Sequence, residues 1–127
     1  MQKSTAAHFE VSVKSLFVPD QSNPDQDFFF FAYRITIHNH GDTAAQLLHR
    51  HWIVTDGQGQ VEEVRGPGVI GLQPRIQPGQ KFEYESACPL ATPAGSMKGF
   101  YQMLNDEGET FSVEVPEFYL VSPEALH

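Results

Sequence analysis

Gly66, Gly68 and Gly71 stand in the G-x-G-x-x-G spacing within Arg65-Gly-Pro-Gly-Val-Ile-Gly-Leu72. That spacing grips a pyrophosphate when a strand delivers the glycines to the first turn of a helix, whose unpaired N–H groups and dipole face the anion. Pro74 and Pro78 follow too closely for such a helix, since each proline in a helix interior costs about 3 kcal/mol through a lost donor and a clash with the preceding turn. The pattern therefore predicts a shaped loop. Two roles stay open for it, a tight crossing between sheets or a recognition element, and Pro67 stiffens the chain for either. Arg65 and Arg75 flank the loop and bring positive charge to an acidic surface, which keeps a phosphate-sized ligand in view as an alternative. The candidate ligand- or partner-binding loop is thus Arg65, Gly66, Pro67, Gly68, Gly71 and Arg75.

Other reactive side chains assemble into less. His38 and His40, like His49 and His51, are spaced to project from one strand face, where neutral imidazoles chelate metals. If a hairpin turn centres on Gly41–Thr43, residue 38 lies opposite residue 46, and His49 falls roughly 10 Å further along the ladder. The four rings then fail to converge. The sequence assigns no metal site, and each pair by itself offers only weak chelation of cobalt, nickel or zinc. Glu62 and Glu63 point to opposite faces of one strand and cannot act as an acid–base pair, whereas Glu83 and Glu85 share a face that reads as solvated. Ser96 has no recognisable His and Asp partners, and neither a nucleophile elbow nor a Walker loop occurs. Cys88 is alone, which excludes a disulfide framework and a cysteine-based zinc site, and its flanks place an unreactive thiol on the inner face of a strand. No catalytic residue and no cofactor is assigned.

The elements that must carry these residues are strands. Phe9, Val11, Val13 and Phe17 alternate with polar neighbours, as do Phe29, Phe31, Tyr33, Ile35 and Ile37 in the long Phe28–Asn39 run. Polar Asp20–Asp27 separates these two. His40–Thr43 then reads as a hairpin turn into 45–55, and Asp56-Gly57-Gln-Gly59 as a second hairpin turn into 61–65. Ile76–Gln80 turns into a strand carrying Phe82, Tyr84, Ser86 and Cys88. Residues 97–104 and 110–115 supply two more, joined through Asn105–Gly108. About seven short strands without a helical period predict an all-β, immunoglobulin-like antiparallel sandwich. Trp52 in a central strand and the missing inter-sheet disulfide favour its fibronectin type III-like form. The core is expected from Val11, Val13, Phe29, Phe31, Ile35, Ile37, Trp52, Val54, Tyr84, Tyr101, Val113 and Val115.

At 127 residues the chain fits one domain, 1–127. A net charge of −8 has the wrong sign for nucleic acid or an anionic membrane. Residues 1–8 lack the apolar stretch of a signal peptide, no run is long enough to span a bilayer, and a cytoplasmic location is expected.

Several separated motifs point one way: Arg50-His-Trp-Ile-Val-Thr-Asp-Gly57, Val61 through Gly71, Gln73-Pro74, Pro78-Gly79, Phe82-Glu-Tyr84, Thr92-Pro-Ala-Gly-Ser-Met97 and Tyr101-Gln-Met103. In this order, from about Phe9 to Leu120, they closely resemble the ApaG family, in its stand-alone bacterial form. The resemblance implies a fibronectin type III-like sandwich and a link to cobalt tolerance and magnesium efflux, without an assigned enzymatic activity. Related domains in an F-box protein and a polymerase-delta-interacting protein imply protein interaction, and the family's glycine motif has prompted a nucleotide or pyrophosphate reading. The expected function is a non-catalytic module for an unidentified protein partner. The alternative is a small-ligand protein for a nucleotide, pyrophosphate or divalent cation. Unpaired strand edges and the Phe-rich strand could also support a homodimer.

Overall fold

Period-two alternation becomes eight strands in the computed structural model, which describes residues 8–126. They are β1 (Phe9–Phe17), β2 (Phe29–Asn39), β3 (Ala45–Asp56), β4 (Val61–Pro67), β5 (Arg75–Ile76), β6 (Lys81–Leu90), β7 (Ala94–Asn105) and β8 (Thr110–Val121). The only helical elements among the described residues are short 3-10 turns at Pro19–Gln21, Pro24–Gln26 and Pro123–Leu126. Among the described residues no helix is long and apolar enough to cross a membrane. The signal-peptide reading concerns mainly residues 1–7, which lie outside the described ones.

One sheet has the order β1-β2-β6 and the other β4-β3-β7-β8, with the short β5 also paired to β3; every pairing is antiparallel. This is the expected sandwich. The side chains turned inward from both sheets include Phe9, Phe31, Ile35, Ile37, Leu47, Tyr101, Met103 and Leu120, all essentially solvent-free. Trp52 packs edge-on against Tyr33, Tyr101 and Phe118, joining the two layers. Every expected core residue is in this cluster, Val13 at its partly buried margin. Apolar alternation along a half-buried strand is sufficient to mark such positions.

The hairpin expected between β2 and β3 does not exist. These strands belong to different sheets, and residues 40–44 are a crossing between layers. Asn39 fixes that crossing. Fully buried, it donates through Nδ2 to the carbonyls of Thr43 and Ile76, while its Oδ1 accepts from the Gly41 amide. A buried amide with every polar atom bonded holds a bend that an unpaired backbone could not. The β3–β4 hairpin, by contrast, forms as expected, with Asp56 Oδ1 accepting from the amides of Gln58 and Gln60.

Truncation of Phe31, which is 1% exposed and packs edge-on against Phe17, tests the core. Phe31→Ala should cost about 3–5 kcal/mol in denaturant unfolding through lost burial and the cavity left behind. A loss under about 1 kcal/mol would place the ring outside the load of the core.

Candidate functional site

The glycine loop is built on an irregularity in β3. Between Leu47 and His49 the pairing to β7 slips by one residue, so Leu48 is an extra residue on β3. A bulge of this kind reverses which parity faces the core. Ala45 and Leu47 are buried before it; Trp52 and Val54 are buried after it. Arg50 thereby turns toward the inside, where a residue of unbroken parity would face solvent.

Along the same edge of β3, β4 pairs with residues 49–55 and β5 with residues 45–46, and the loop 68–74 fills the interval opposite the bulge. The freed Leu48 carbonyl accepts both the Gly68 amide at 2.8 Å and the Gln73 side-chain amide at 2.9 Å. At the loop's far end the Leu47 amide donates to the Pro74 carbonyl, and the Gln46 side chain donates to the Gln73 carbonyl. Arg50 completes the clamp by donating through one guanidinium nitrogen to the carbonyls of Pro67 and Gly68, at 3.0 and 3.1 Å.

Each glycine has its own structural reason. A Cβ on Gly66 would meet the Arg50 guanidinium at 3.0 Å, so the missing side chain leaves the arginine its place. Gly68 has φ +62, and a Cβ there would lie 2.2 Å from the Leu72 carbonyl oxygen. Gly71, at φ +78, forms with Ile70 the centre of a tight turn in which the amides of Val69 and Leu72 each donate to the other residue's carbonyl. Two central residues at positive φ mark the type I′ turn. Val69 plugs the loop into the core at 1% exposure, whereas Ile70 and Leu72 stand out of it.

The expected loop residues are thus only partly brought together. Gly66, Pro67, Gly68 and Gly71 share one clamped unit. Arg65 instead pairs with Glu63 at 3.2 Å beside His51, and Arg75 grips the Asp106 carboxylate through two nitrogens. That pairing holds the Asp106 carboxyl below the usual carboxylate range and raises Arg75. Neither guanidinium is aimed at the loop. The glycines do not make the crossing between sheets either, because the chain crosses later, at Gln77–Gln80, where Gly79 donates to the Asn39 carbonyl. Sequence reasoning quoted Arg50 in a motif but gave it no place at the loop; the signal for that place would have been the bulge, which alternation alone does not display.

A groove of about 610 Å³ opens between the edges of β4 and β6, lined among others by Tyr33, Arg50, Trp52, Glu62, Ser86 and Cys88. Burial pushes the Cys88 thiol up to about 11, and Glu62 adds to the rise. A thiol so shifted is a poor nucleophile at neutral pH. Behind it the hydroxyls of Tyr84 and Tyr101 share a 2.5 Å hydrogen bond, and burial raises both above the ordinary phenol value. Ser96 contacts Glu117, and Glu62 and Glu63 point to opposite faces, as expected. The two histidine pairs sit on different sheets, so their failure to converge follows from topology rather than from an offset along one ladder.

The model of the ApaG domain matches residues 19–105. The chain belongs to the ApaG family. Protein ApaG of Bdellovibrio bacteriovorus is 60% identical over 127 residues, the whole of both chains. Protein ApaG of Dechloromonas aromatica is 50% identical over the same full span. Among solved structures, an ApaA protein from Bordetella pertussis superposes with a TM-score of 0.88 at 49% identity, covering 91% of this chain and 94% of that one. The clamp just described is therefore set in an ApaG domain.

Two measurements check this site. Gly68→Ala should destabilise the domain by about 2 kcal/mol or more, since it adds left-handed strain to a clash with the Leu72 carbonyl; wild-type stability would contradict the geometry. Because the fold keeps the Cys88 thiol protonated, its contribution to stability is fully present below the ordinary thiol value of 9.0 and is lost as pH rises toward about 11. Cys88→Ala should flatten the fall in stability across that window, whereas an unchanged slope would show the thiol to be uncoupled from folding.

Proposed function

We propose that this ApaG-family domain is a non-catalytic binding module that presents the tip of its glycine loop to a protein partner. Ile70 carries the reading. A β-branched residue at φ +44 is a genuine outlier, and it stands 56% exposed at the apex of the turn. Asn before Gly is the preferred pair for a type I′ turn, and a left-handed conformation costs a residue with a Cβ about 1–2 kcal/mol. Core burial does not repay that cost, because the side chain stands outside the buried cluster. Strain held where it serves no packing is a mark of function.

The surroundings suit docking. Leu72, half exposed, stands beside Ile70, and the clamp from Arg50, Leu48 and Gln46 holds the tip in one shape. A preorganised apolar tip loses little freedom on binding. The cobalt and magnesium link implied by the resemblance would then run through the partner, and the module needs no resident ion for this role. The nucleotide or pyrophosphate alternative has less support. The amides of Gly68, Val69 and Leu72, which a phosphate would need, are already donated within the protein.

Ile70→Asn separates scaffold from recognition. It should leave stability unchanged or raise it by about 1 kcal/mol in denaturant unfolding, while abolishing loop-dependent capture of a protein partner from lysate. A destabilised variant would show that Ile70 is structural. Undiminished capture would move the interaction surface elsewhere, and micromolar calorimetric binding of ADP or pyrophosphate, lost in a folded Gly68 variant, would favour the small-ligand reading.

A further inference from the structure

On the other sheet, the outer face of β1 and β2 brings three metal-ligating side chains to one point. Glu10 and His38 are direct cross-strand partners, and His40 lies two positions beyond His38 on the same face. The His38 and His40 rings lie with centroids 3.9 Å apart, tilted by 45°, and His40 Nε2 lies 3.0 Å from Glu10 Oε1. One donor atom from each of the three residues falls within 4.8 Å of the other two.

The backbone beneath this cluster is held on both sides. The His40 amide donates to the His8 carbonyl, the Asn39 amide to the Gln80 carbonyl, and the buried Asn39 side chain pins the exit of β2. The side chain of Glu10 is 15% exposed and that of His40 is 40% exposed, so the cluster is sheltered on one side and open on the other. On the far flank of His38 its partner in β6 is Lys81, an exposed side chain with Glu83 next on the same face. Ser12 and Thr36 form the adjoining rung.

We propose that Glu10, His38 and His40 form a site for a borderline divalent ion of the zinc type. Two imidazole nitrogens and one carboxylate are a donor set for such ions, with further coordination positions left to water. Magnesium, which demands oxygen ligands and gives up its waters reluctantly, does not suit it. Three ligands on an open sheet face make the ion exchangeable rather than structural. The site lies on the opposite layer from the glycine loop and stands independently of the role proposed for that loop.

Calorimetry of the full chain with Zn²⁺ in a non-coordinating buffer tests the assignment. We expect micromolar binding, weakened at least about tenfold by His40→Ala and by Glu10→Gln and unaffected by the double substitution of His49 and His51 by Ala. NMR should show the His38 and His40 ring resonances moving with added zinc, and Mg²⁺ should give no saturable heat. Thermal unfolding without metal verifies that each variant is folded, and His40→Gln replaces any that is not. Zinc affinity unchanged in both folded variants, equal loss on removing His49 and His51, or binding no tighter than millimolar would overturn the proposal.

Discussion

One extra residue in a central strand governs much of this molecule. Leu48 interrupts the β3–β7 ladder, and the interruption has two effects that a regular strand could not combine. It releases a backbone carbonyl from the ladder, and it rotates the rest of β3 by one parity. The released carbonyl receives the amide of Gly68 and the side chain of Gln73; the rotation brings Arg50 to the carbonyls of Pro67 and Gly68. Without the bulge the loop 68–74 would lose its anchors, and Arg50 would lie on the solvent face that His51 and Ile53 now occupy. Each such hydrogen bond contributes about 0.5–1.5 kcal/mol net, so several lost together are comparable with what burial of the loop's plug, Val69, supplies.

The layers themselves are joined at two levels. In the middle, Trp52 and the bonded hydroxyls of Tyr84 and Tyr101 cross between the sheets, polar atoms satisfied by each other in a place water does not reach. At one end Asn39 does the same work with its amide. Its backbone accepts from Gly79 and its side chain reaches Thr43 and Ile76, so two of the three crossings between sheets among the described residues, those at 40–44 and 77–80 but not the one at 91–93, meet on a single buried residue. The outer-face histidines flank that residue in sequence, and their fixed spacing is a by-product of how tightly the crossing is held.

Strands were legible in the sequence because period two is written directly in the apolar side chains, and the core could be read from Phe31, Ile35, Trp52 and Tyr101 for the same reason. Pairing was less legible. A short polar segment with Gly and Asp at 40–43 turns a hairpin or bridges two layers equally well, and only the burial of Asn39, a residue that alternation assigns to no role, decides between them. The bulge at Leu48 and the second slip in β8, between Met97/Phe118 and Gly99/Val115, are parity changes inside strands. The extra residue on β3 carries no glycine or proline to mark it, whereas the slip in β8 contains Pro116. For want of a mark on β3, Arg50's place at the loop escaped notice while Arg65 and Arg75, more visible beside the glycines, were engaged elsewhere by Glu63 and Asp106. Glu10 escaped too, since its place beside His38 is a property of strand order.

The glycine spacing invites a phosphate, but the loop is built differently from the one that spacing serves at a helix start. A phosphate site of that type works by leaving backbone N–H groups unspent at a helix start. Here the chain spends three of them: Gly68 on Leu48, and Val69 and Leu72 on each other. The glycines provide room for Arg50, room for a carbonyl and a left-handed turn, which are requirements of the loop's own shape. What the finished loop offers outward is therefore the side chains it could not bury, Ile70 and Leu72. An apolar tip on a stiff backbone suits the partner proposed for it, since three of the loop's amides are spent internally and Arg65 and Arg75 are engaged elsewhere. The strain at Ile70 fits the same account, because asparagine would satisfy the turn better and present no apolar surface at all.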